Sequence, residues 1–142
     1  MGLILAIESS CDETAAAVVS DQGFVHSNII ATQIPVHARY GGVVPELASR
    51  AHLTTLPKVI SEALERADVA LKDISAVAVT TGPGLAGCLL VGLQAAKGIA
   101  WAQDIPLIPV DHIQAHVHAI YLKDDKGAGT TPPAGPYIAL AV

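Results

Sequence analysis

Two histidines have the residue type and the spacing that metal binding on a helix requires. His112 and His116 lie four residues apart. On a helix, side chains at this spacing share one face and lie about 6 Å apart along the axis, so both rings can reach one metal ion. Asp111, with Gln114 three residues later, matches a variant of the capping box, which predicts that a helix begins here. Two histidines do not complete a metal site, so further ligands must come from elsewhere.

The histidine pair is a short motif, so two surface or partly buried histidines without a ligand are the alternative interpretation. His118 points to another face of the helix and is not expected to join the pair. A zinc peptidase with this spacing needs a Glu directly after the first histidine as general base. Ile113 occupies that position, which argues against a thermolysin-like protease.

An acidic turn follows the first predicted strand and contains Glu8, Asp12 and Glu13. Carboxylates at this position could hold a metal–phosphate complex, orient a water molecule or act as a general base. A solvated turn without chemistry is the alternative. Two arginines near a later junction of loop and helix, Arg39 and Arg50, could contact phosphate or carboxylate groups, or form ordinary salt bridges.

The elements that would position these side chains follow from the hydrophobic pattern. Buried runs joined by short turns predict an antiparallel meander of three strands, after which helices alternate with two further strands. The predicted strands are residues 3–7, 15–19, 24–31, 74–79 and 107–110, and the predicted helices are residues 44–67, 85–102 and 111–122. Pro57 is expected to kink the first helix or divide it in two. The second helix carries a stripe suited to very close packing: Cys88, Gly92, Ala95, Ile99 and Ala102.

The predicted order β-β-β-α-β-α-β-α is that of one half of the actin, Hsp70 and sugar-kinase superfamily, an α/β fold whose members bind nucleotide between two such halves. Residues 1–122 are expected to form one such lobe. Residues 123–135 have the composition of a linker, and residues 136–142 are expected to be the first strand of a second, truncated lobe. Topology alone does not give function.

Composition excludes several classes of protein. The chain has 142 residues, of which 51% are hydrophobic and 15% charged, which argues against intrinsic disorder. Its 8 basic and 13 acidic residues give a net charge of −5, which does not indicate a free-standing nucleic-acid binder; an RNA held mainly by other surfaces or partners stays open. Cys11 and Cys88 fit neither a disulfide nor a metal-knuckle spacing, so we expect free thiols and a cytoplasmic protein. A glycine-containing turn interrupts the longest uncharged run, residues 74–96, so no membrane association is expected.

Four stretches in this order resemble the TsaD-type tRNA threonylcarbamoyladenosine transferases, also known as the O-sialoglycoprotein endopeptidase or glycoprotease family. They are residues 7–14, 41–52, 82–97 and 112–116, and the similarity runs from residue 3 to residue 142. The resemblance implies a fold of two actin-like lobes. It also implies transfer of a threonylcarbamoyl group from threonylcarbamoyl-adenylate to the adenosine next to the anticodon in tRNAs that read ANN codons.

The resemblance also implies roles for single residues. His112 and His116 match the two histidine ligands of a divalent metal, usually iron or zinc, that lies between the lobes; the third protein ligand is an aspartate in the second lobe. Asp12 and Glu13 match acidic residues near the reaction centre and are the catalytic candidates.

Ala141 and Val142 match the last residues before a Ser-Gly-Gly substrate loop and are the substrate-binding candidates. Family members have roughly twice the length of this chain, as two lobes of ordinary size require, so we expect the chain to be inactive alone. Members also contact a shorter paralogue through first-lobe helices, for which the stripe at Cys88, Gly92 and Ala95 is the predicted surface. Apolar surface left open by a missing lobe predicts self-association.

Two alternatives to the transferase interpretation stay open. One is a scaffold or regulatory paralogue of the same family without catalytic function. The other is a metallopeptidase, against which Ile113 argues.

Overall fold

Short turns after the first two buried runs produce the predicted antiparallel meander. The computed structural model describes residues 2–124, 126–131, 134–135 and 139. Its first strands are β1 (Leu3–Glu8), β2 (Glu13–Ser20) and β3 (Val25–Thr32). Strand β2 pairs antiparallel with both β1 and β3. The acidic turn therefore joins the end of β1 to the start of β2.

Two parallel strands complete the sheet on the other side of β1. Strands β4 (Ile74–Gly82) and β5 (Leu107–Asp111) give the order β3-β2-β1-β4-β5, in which β4 is parallel to both β1 and β5. The helices are α1 (Ile34–His37), α2 (Pro45–Arg66), α3 (Ala86–Gln103) and α4 (His112–Ala119). The predicted actin-like α/β order is confirmed, with the short α1 added inside the predicted loop.

The main core lies between one face of the sheet and helices α2 and α3. Leu5, Val18, Val77 and Val79 point from the strands into this layer and are at most 1% exposed. Alanines of both helices pack against them, which lets the helices lie close to the sheet in a chain with few aromatic residues. The opposite face of the sheet lines an open cavity bounded by α4.

Helix α2 corrects the expectation that Pro57 divides it. The helix runs unbroken for 22 residues, with Pro57 inside it. The proline has no N–H to donate to the carbonyl of Leu53. Leu56 and Val59 on either side of Pro57 are buried against the sheet, and we attribute the continuity of the helix to this packing.

The close-packing stripe of α3 is rotated from the predicted one. The buried residues of this helix are Cys88, Gly92, Ala96 and Ala100, spaced by four. Of the predicted stripe, Ala95 and Ile99 are half-buried beside this row, and Ala102 is exposed.

Contacts with Ser9, the residue that follows β1, explain why Cys88 and Gly92 face inward. The Ser9 hydroxyl donates to the Cys88 carbonyl oxygen at 2.9 Å. A Cβ added to Gly92 would clash with Ser9 Oγ, so a larger residue here would displace the hydroxyl that donates to Cys88. The prediction that Cys88 and Gly92 form a surface for a paralogue is therefore wrong, since both are buried in this chain's own core.

None of the helices in the residues that the structure describes is long and apolar enough to cross a membrane. The substrate-binding candidates Ala141 and Val142 lie outside the described residues. Of the predicted final strand, 136–142, only Ala139 is described.

Candidate functional site at the carboxyl edge of the sheet

Three parallel strands bring the chemically interesting residues to one edge of the sheet. Glu8 ends β1, Thr80 lies near the end of β4, and Asp111 ends β5. Ligand sites of open α/β sheets gather at the carboxyl ends of the strands. An open cavity of about 660 Å³ begins at this edge. Its polar lining includes Glu8, Ser10, Asp12, Glu13, Thr80, His112 and His116.

Asp111 starts helix α4 as the sequence predicts. Its Oδ1 accepts a hydrogen bond from the backbone N–H of Gln114 at 2.9 Å. The helix ends at Ala119 rather than at residue 122. After a turn, Lys123 pairs with the β2–β3 hairpin, because its N–H donates to the Gly23 carbonyl and its carbonyl accepts from Val25, both at 2.8 Å. This pairing gives a reason for the early end of the helix.

His112 and His116 face each other in the geometry that one metal ion would need. Their Nε2 atoms are 3.2 Å apart, and the rings meet edge to face at 82°. Two nitrogens bound to one tetrahedral Zn²⁺ at about 2.0–2.1 Å lie roughly 3.3 Å apart. The separation of the two nitrogens is therefore compatible with both binding one ion. His118 instead donates from Nδ1 to the Gln114 carbonyl at 2.8 Å.

His112 and His116 are the two candidate metal ligands that the described residues bring together. Within residues 2–124, 126–131, 134–135 and 139, no group of three His, Cys, Asp or Glu side chains is placed to hold a metal ion. A histidine pair alone is an incomplete site, so any ion held here needs further ligands.

The carboxylate beside the histidines is Glu8, not Asp12 or Glu13. Glu8 Oε2 lies 3.3 Å from His112 Nδ1, the nitrogen that points away from His116. In the described part of the chain, His112 forms an ion pair with no other carboxylate. Glu8 also accepts from the Ser10 backbone N–H and from the Thr80 hydroxyl.

Opposing effects set the ionisation of Glu8. Burial raises the pKa of this carboxyl, but hydrogen bonds from Ser10, Thr80 and His112 together outweigh it, and the pKa lies below the ordinary glutamate value. Glu8 is therefore ionised at neutral pH and can only accept hydrogen bonds.

Asp12 and Glu13 lie on the turn that follows Glu8 and line the same cavity. Asp12 is half-buried and Glu13 is exposed. The backbone around Asp12 is held on both sides, because the Cys11 carbonyl accepts from His52 Nε2 at 3.0 Å and the Asp12 carbonyl accepts from the Gln33 N–H at 2.9 Å. These two hydrogen bonds hold the backbone of the turn in place, while the Glu13 side chain is exposed to solvent.

Comparison with known proteins identifies the family. The family described as "TsaD: tRNA N6-adenosine threonylcarbamoyltransferase" matches residues 24–139. The chain belongs to this family. A tRNA N6-adenosine threonylcarbamoyltransferase of Geobacter sulfurreducens is 56% identical over 140 residues, which are 99% of this chain and 39% of the relative. One from Shouchella clausii is 58% identical over 119 residues, covering 84% of this chain and 36% of the relative.

The chain therefore spans about two fifths of the length of the curated relatives it matches. Among solved structures, YeaZ from Pseudomonas aeruginosa superposes with a TM-score of 0.63 at 20% identity, covering 85% of this chain and 48% of that one. At this identity the likeness shows the fold alone, and that fold is the predicted actin-like lobe.

A buried polar network behind the acidic turn was not predicted. His52 is fully buried, and its Nδ1 accepts from the Thr14 hydroxyl at 2.8 Å. Gln33 lies 3.4 Å from both ring nitrogens of His52 and accepts from His37 Nε2 at 3.1 Å. The signal was in the sequence, since His52 occupies the row of buried α2 positions between Ala48 and Leu56.

The two arginines form local contacts. Arg50 donates to Glu46, one helical turn earlier, at 2.8 Å, and both side chains are largely exposed. Arg39 lies over the ring of its neighbour Tyr40, 4.8 Å from the ring centre. Of the two interpretations left open for Arg50, the ordinary salt bridge is the one observed.

The two cysteines are free thiols. Burial raises the pKa of both Cys11 and Cys88, and the nearby Asp12 raises each further. Both thiols are therefore protonated at neutral pH, the form that is a poor nucleophile and a poor metal ligand.

Proposed function

We propose that this chain is the first lobe of an enzyme that transfers a threonylcarbamoyl group from threonylcarbamoyl-adenylate to tRNA. The acceptor is the adenosine next to the anticodon in tRNAs that read ANN codons. The observation that carries the proposal is the 56% identity to a threonylcarbamoyltransferase along 99% of this chain. The histidine pair and the acidic turn on one cavity support it.

In this proposal, His112 and His116 hold one divalent metal ion, iron or zinc. Their Nε2 atoms, 3.2 Å apart, support it, and the remaining protein ligand is an aspartate of the second lobe. When bound, the ion supplies a positive charge that attracts and polarises an oxygen of the substrate. The histidines themselves contribute neutral nitrogens at fixed positions on the first turns of α4.

The acidic turn supplies the base in this proposal. When the N6 amine of adenosine attacks the carbamoyl carbon, a new N–C bond forms, the bond to the AMP oxygen breaks, and the amine loses a proton. Asp12 and Glu13 line the cavity and are the carboxylates that can accept this proton. The fixed backbone around Asp12 supports a positioned base. Ala141 and Val142 stay proposed substrate contacts from the resemblance.

The domain division is part of the same proposal. Residues 1–122 form the first lobe, residues 123–135 the linker and residues 136–142 the first strand of the second lobe. The chain covers 39% of the relative, which supports treating it as one of two lobes. A cytoplasmic location goes with the proposed tRNA substrate.

The partners follow from the surface of the lobe. With a net charge of −5, this lobe leaves most of the tRNA contact to other surfaces.

A shorter paralogue would pack on α2 and α3, where Ser49 meets Gly87 closely. One turn further along each helix, Leu53 and Leu90 are more than half exposed and replace the buried stripe as the proposed contact. The exposed Ile30, which lines the cavity, supports self-association when that surface is uncovered.

A chimera tests the proposed function. The chain replaces the matched 39% of the Geobacter sulfurreducens relative, and transfer to an ANN-reading tRNA is measured with the partner proteins that the relative requires. We expect activity within about tenfold of the parent, since the chain supplies the histidine pair and the acidic turn in their observed arrangement. His116→Ala in the chimera should reduce transfer at least about 100-fold.

His118→Ala is the matched control, because His118 lies on the same helix but outside the pair. It should leave transfer unchanged. A folded chimera that makes no product, or one in which His116→Ala is as active as the unaltered chimera, would contradict the proposal. The first outcome would favour the scaffold alternative.

A further inference from the structure

We propose that Glu8 is a positioning residue for His112, which fixes the proton of the imidazole on Nδ1 and leaves the lone pair of Nε2 facing His116 and the cavity. The inference rests on the proposed function only in taking the ligand of that lone pair to be a metal ion. The tautomer itself is a property of this chain.

The Glu8 carboxylate is held rigidly from two sides. Oε1 accepts from the Ser10 backbone N–H, and Oε2 accepts from the Thr80 hydroxyl. Glu8 and Thr80 lie at the ends of the paired strands β1 and β4, so the sheet fixes both groups. The glutamate side chain is 30% exposed, and that of His112 is 28% exposed.

The two nitrogens of His112 meet different surroundings. Nδ1 lies 3.3 Å from Glu8 Oε2 and 3.3 Å from Ser10 Oγ, whereas Nε2 lies 3.2 Å from His116 Nε2. A hydroxyl can donate or accept, so Ser10 does not decide the tautomer. An ionised carboxylate can only accept, so the proton of a neutral His112 belongs on Nδ1.

The tautomer decides which nitrogen of His112 can bind a ligand. With its proton on Nδ1, neutral His112 presents an unprotonated Nε2, which accepts from His116 Nε2–H in the metal-free chain. Metal-binding histidines commonly donate their other N–H to a carboxylate, which sets ring orientation and raises the basicity of the ligand. Glu8 and His112 have this arrangement, because His112 Nδ1 lies beside the carboxylate and Nε2 lies on the side of His116.

The tautomer is measurable by NMR on the metal-free chain labelled with ¹⁵N-histidine, at neutral pH. In the wild type we expect the Nδ1–H form at His112. Glu8→Leu, which removes the acceptor at similar size, should shift His112 toward the Nε2–H form. Glu62→Leu loses the same charge at a half-exposed position on α2, where Glu62 pairs with Arg66, and should leave the His112 tautomer unchanged. If Glu8→Leu does not fold, Glu8→Gln replaces the carboxylate by a neutral amide and should raise the Nε2–H population.

Zinc binding gives the second readout. Titration of the same chains with Zn²⁺ alone should show affinity about 10–100-fold weaker in the Glu8 variant than in the wild type or Glu62→Leu. A wild-type His112 in the Nε2–H form, or an unchanged tautomer and zinc affinity in the folded Glu8 variant, would overturn the inference. Neither readout involves tRNA, so a chimera without transferase activity would overturn the proposed function and leave this result standing.

Discussion

The chain has two pairs of histidines in different surroundings. His37 and His52 lie in the core, whereas His112 and His116 line the cavity. His37 and His52 are at most 4% exposed, and both bind Gln33 inside the protein. Each has its second nitrogen paired as well, His37 with the Val44 N–H and His52 with Thr14. His112 and His116 lie at the cavity, and their Nε2 atoms face each other at 3.2 Å.

The difference shows what separates a structural histidine from one that is ready to bind a ligand. In the buried pair, all ring nitrogens have partners from the protein itself, so none is available. In the pair at the cavity, Glu8 lies beside one nitrogen of His112, and the other nitrogen lies 3.2 Å from His116 Nε2, a separation compatible with two ligands of one ion. Burial distinguishes the two pairs, because His37 and His52 are enclosed in the protein whereas His112 and His116 line the cavity.

The largest expected effect comes from breaking the buried pair. His52→Leu fills similar space but leaves the Thr14 hydroxyl and the Cys11 carbonyl without their partner in the core. Leaving buried polar groups unpaired costs about 1–3 kcal/mol each, so the free energy of unfolding should fall by about 3 kcal/mol. Urea denaturation measures it.

His118→Ala serves as the control for that substitution, because His118 is exposed. Its change should be within about 0.5 kcal/mol. Equal stability of His52→Leu and the wild type would mean that the buried network is not what holds the acidic turn.

A smaller loss in the free energy of unfolding is expected when Glu8 is substituted, and this loss should depend on pH. Its pKa is lower in the folded chain than in the unfolded one, so ionisation stabilises the fold. This contribution is complete above the unfolded pKa of about 4.3 and is lost as the pH falls through the folded value. Glu8→Gln should therefore cost roughly 1 kcal/mol at pH 7, and the difference should shrink below about pH 4.

Urea denaturation of both chains from pH 7 to pH 3 measures this dependence. A difference that stays constant, or that grows as the pH falls, would contradict the assigned sign.

The smallest effect on stability is expected at His116, in contrast to His52. The side chain is exposed, and its ring contacts His112 on the same helix. His116→Ala should change the free energy of unfolding of the metal-free chain by no more than about 0.5 kcal/mol. Thermal unfolding in the presence of a chelator measures it. A loss as large as that of His52→Leu would remove the distinction between the two pairs.

The sequence predicted the scaffold well, because buried runs and helical spacing reflect the sheet and its covering helices directly. It also predicted the start of α4 at Asp111 and the facing of His112 and His116, which follow from capping and from the helical repeat. Contacts between distant segments were the weak point. That Glu8, rather than Asp12 or Glu13, reaches His112 depends on the pairing of β1 with β4 and of β4 with β5, which no local pattern encodes.

The errors have the same origin. Local rules predicted that Pro57 would divide α2, but packing on the sheet holds the helix together. The small residues on α3 correctly predicted close packing, but they did not predict which face of the helix is packed. Contact of Gly92 with Ser9 turns that row toward β1 and away from any partner.

The central proposal is that His112 and His116, and not the buried pair His37 and His52, bind a metal ion. Equilibrium dialysis of the metal-free chain against Zn²⁺ tests it in the wild type, His116→Gln and His37→Gln. The wild type and His37→Gln should bind one ion per chain with similar affinity, and His116→Gln should bind at least about tenfold more weakly. Unchanged binding in His116→Gln, or loss of binding in a folded His37→Gln, would contradict the account.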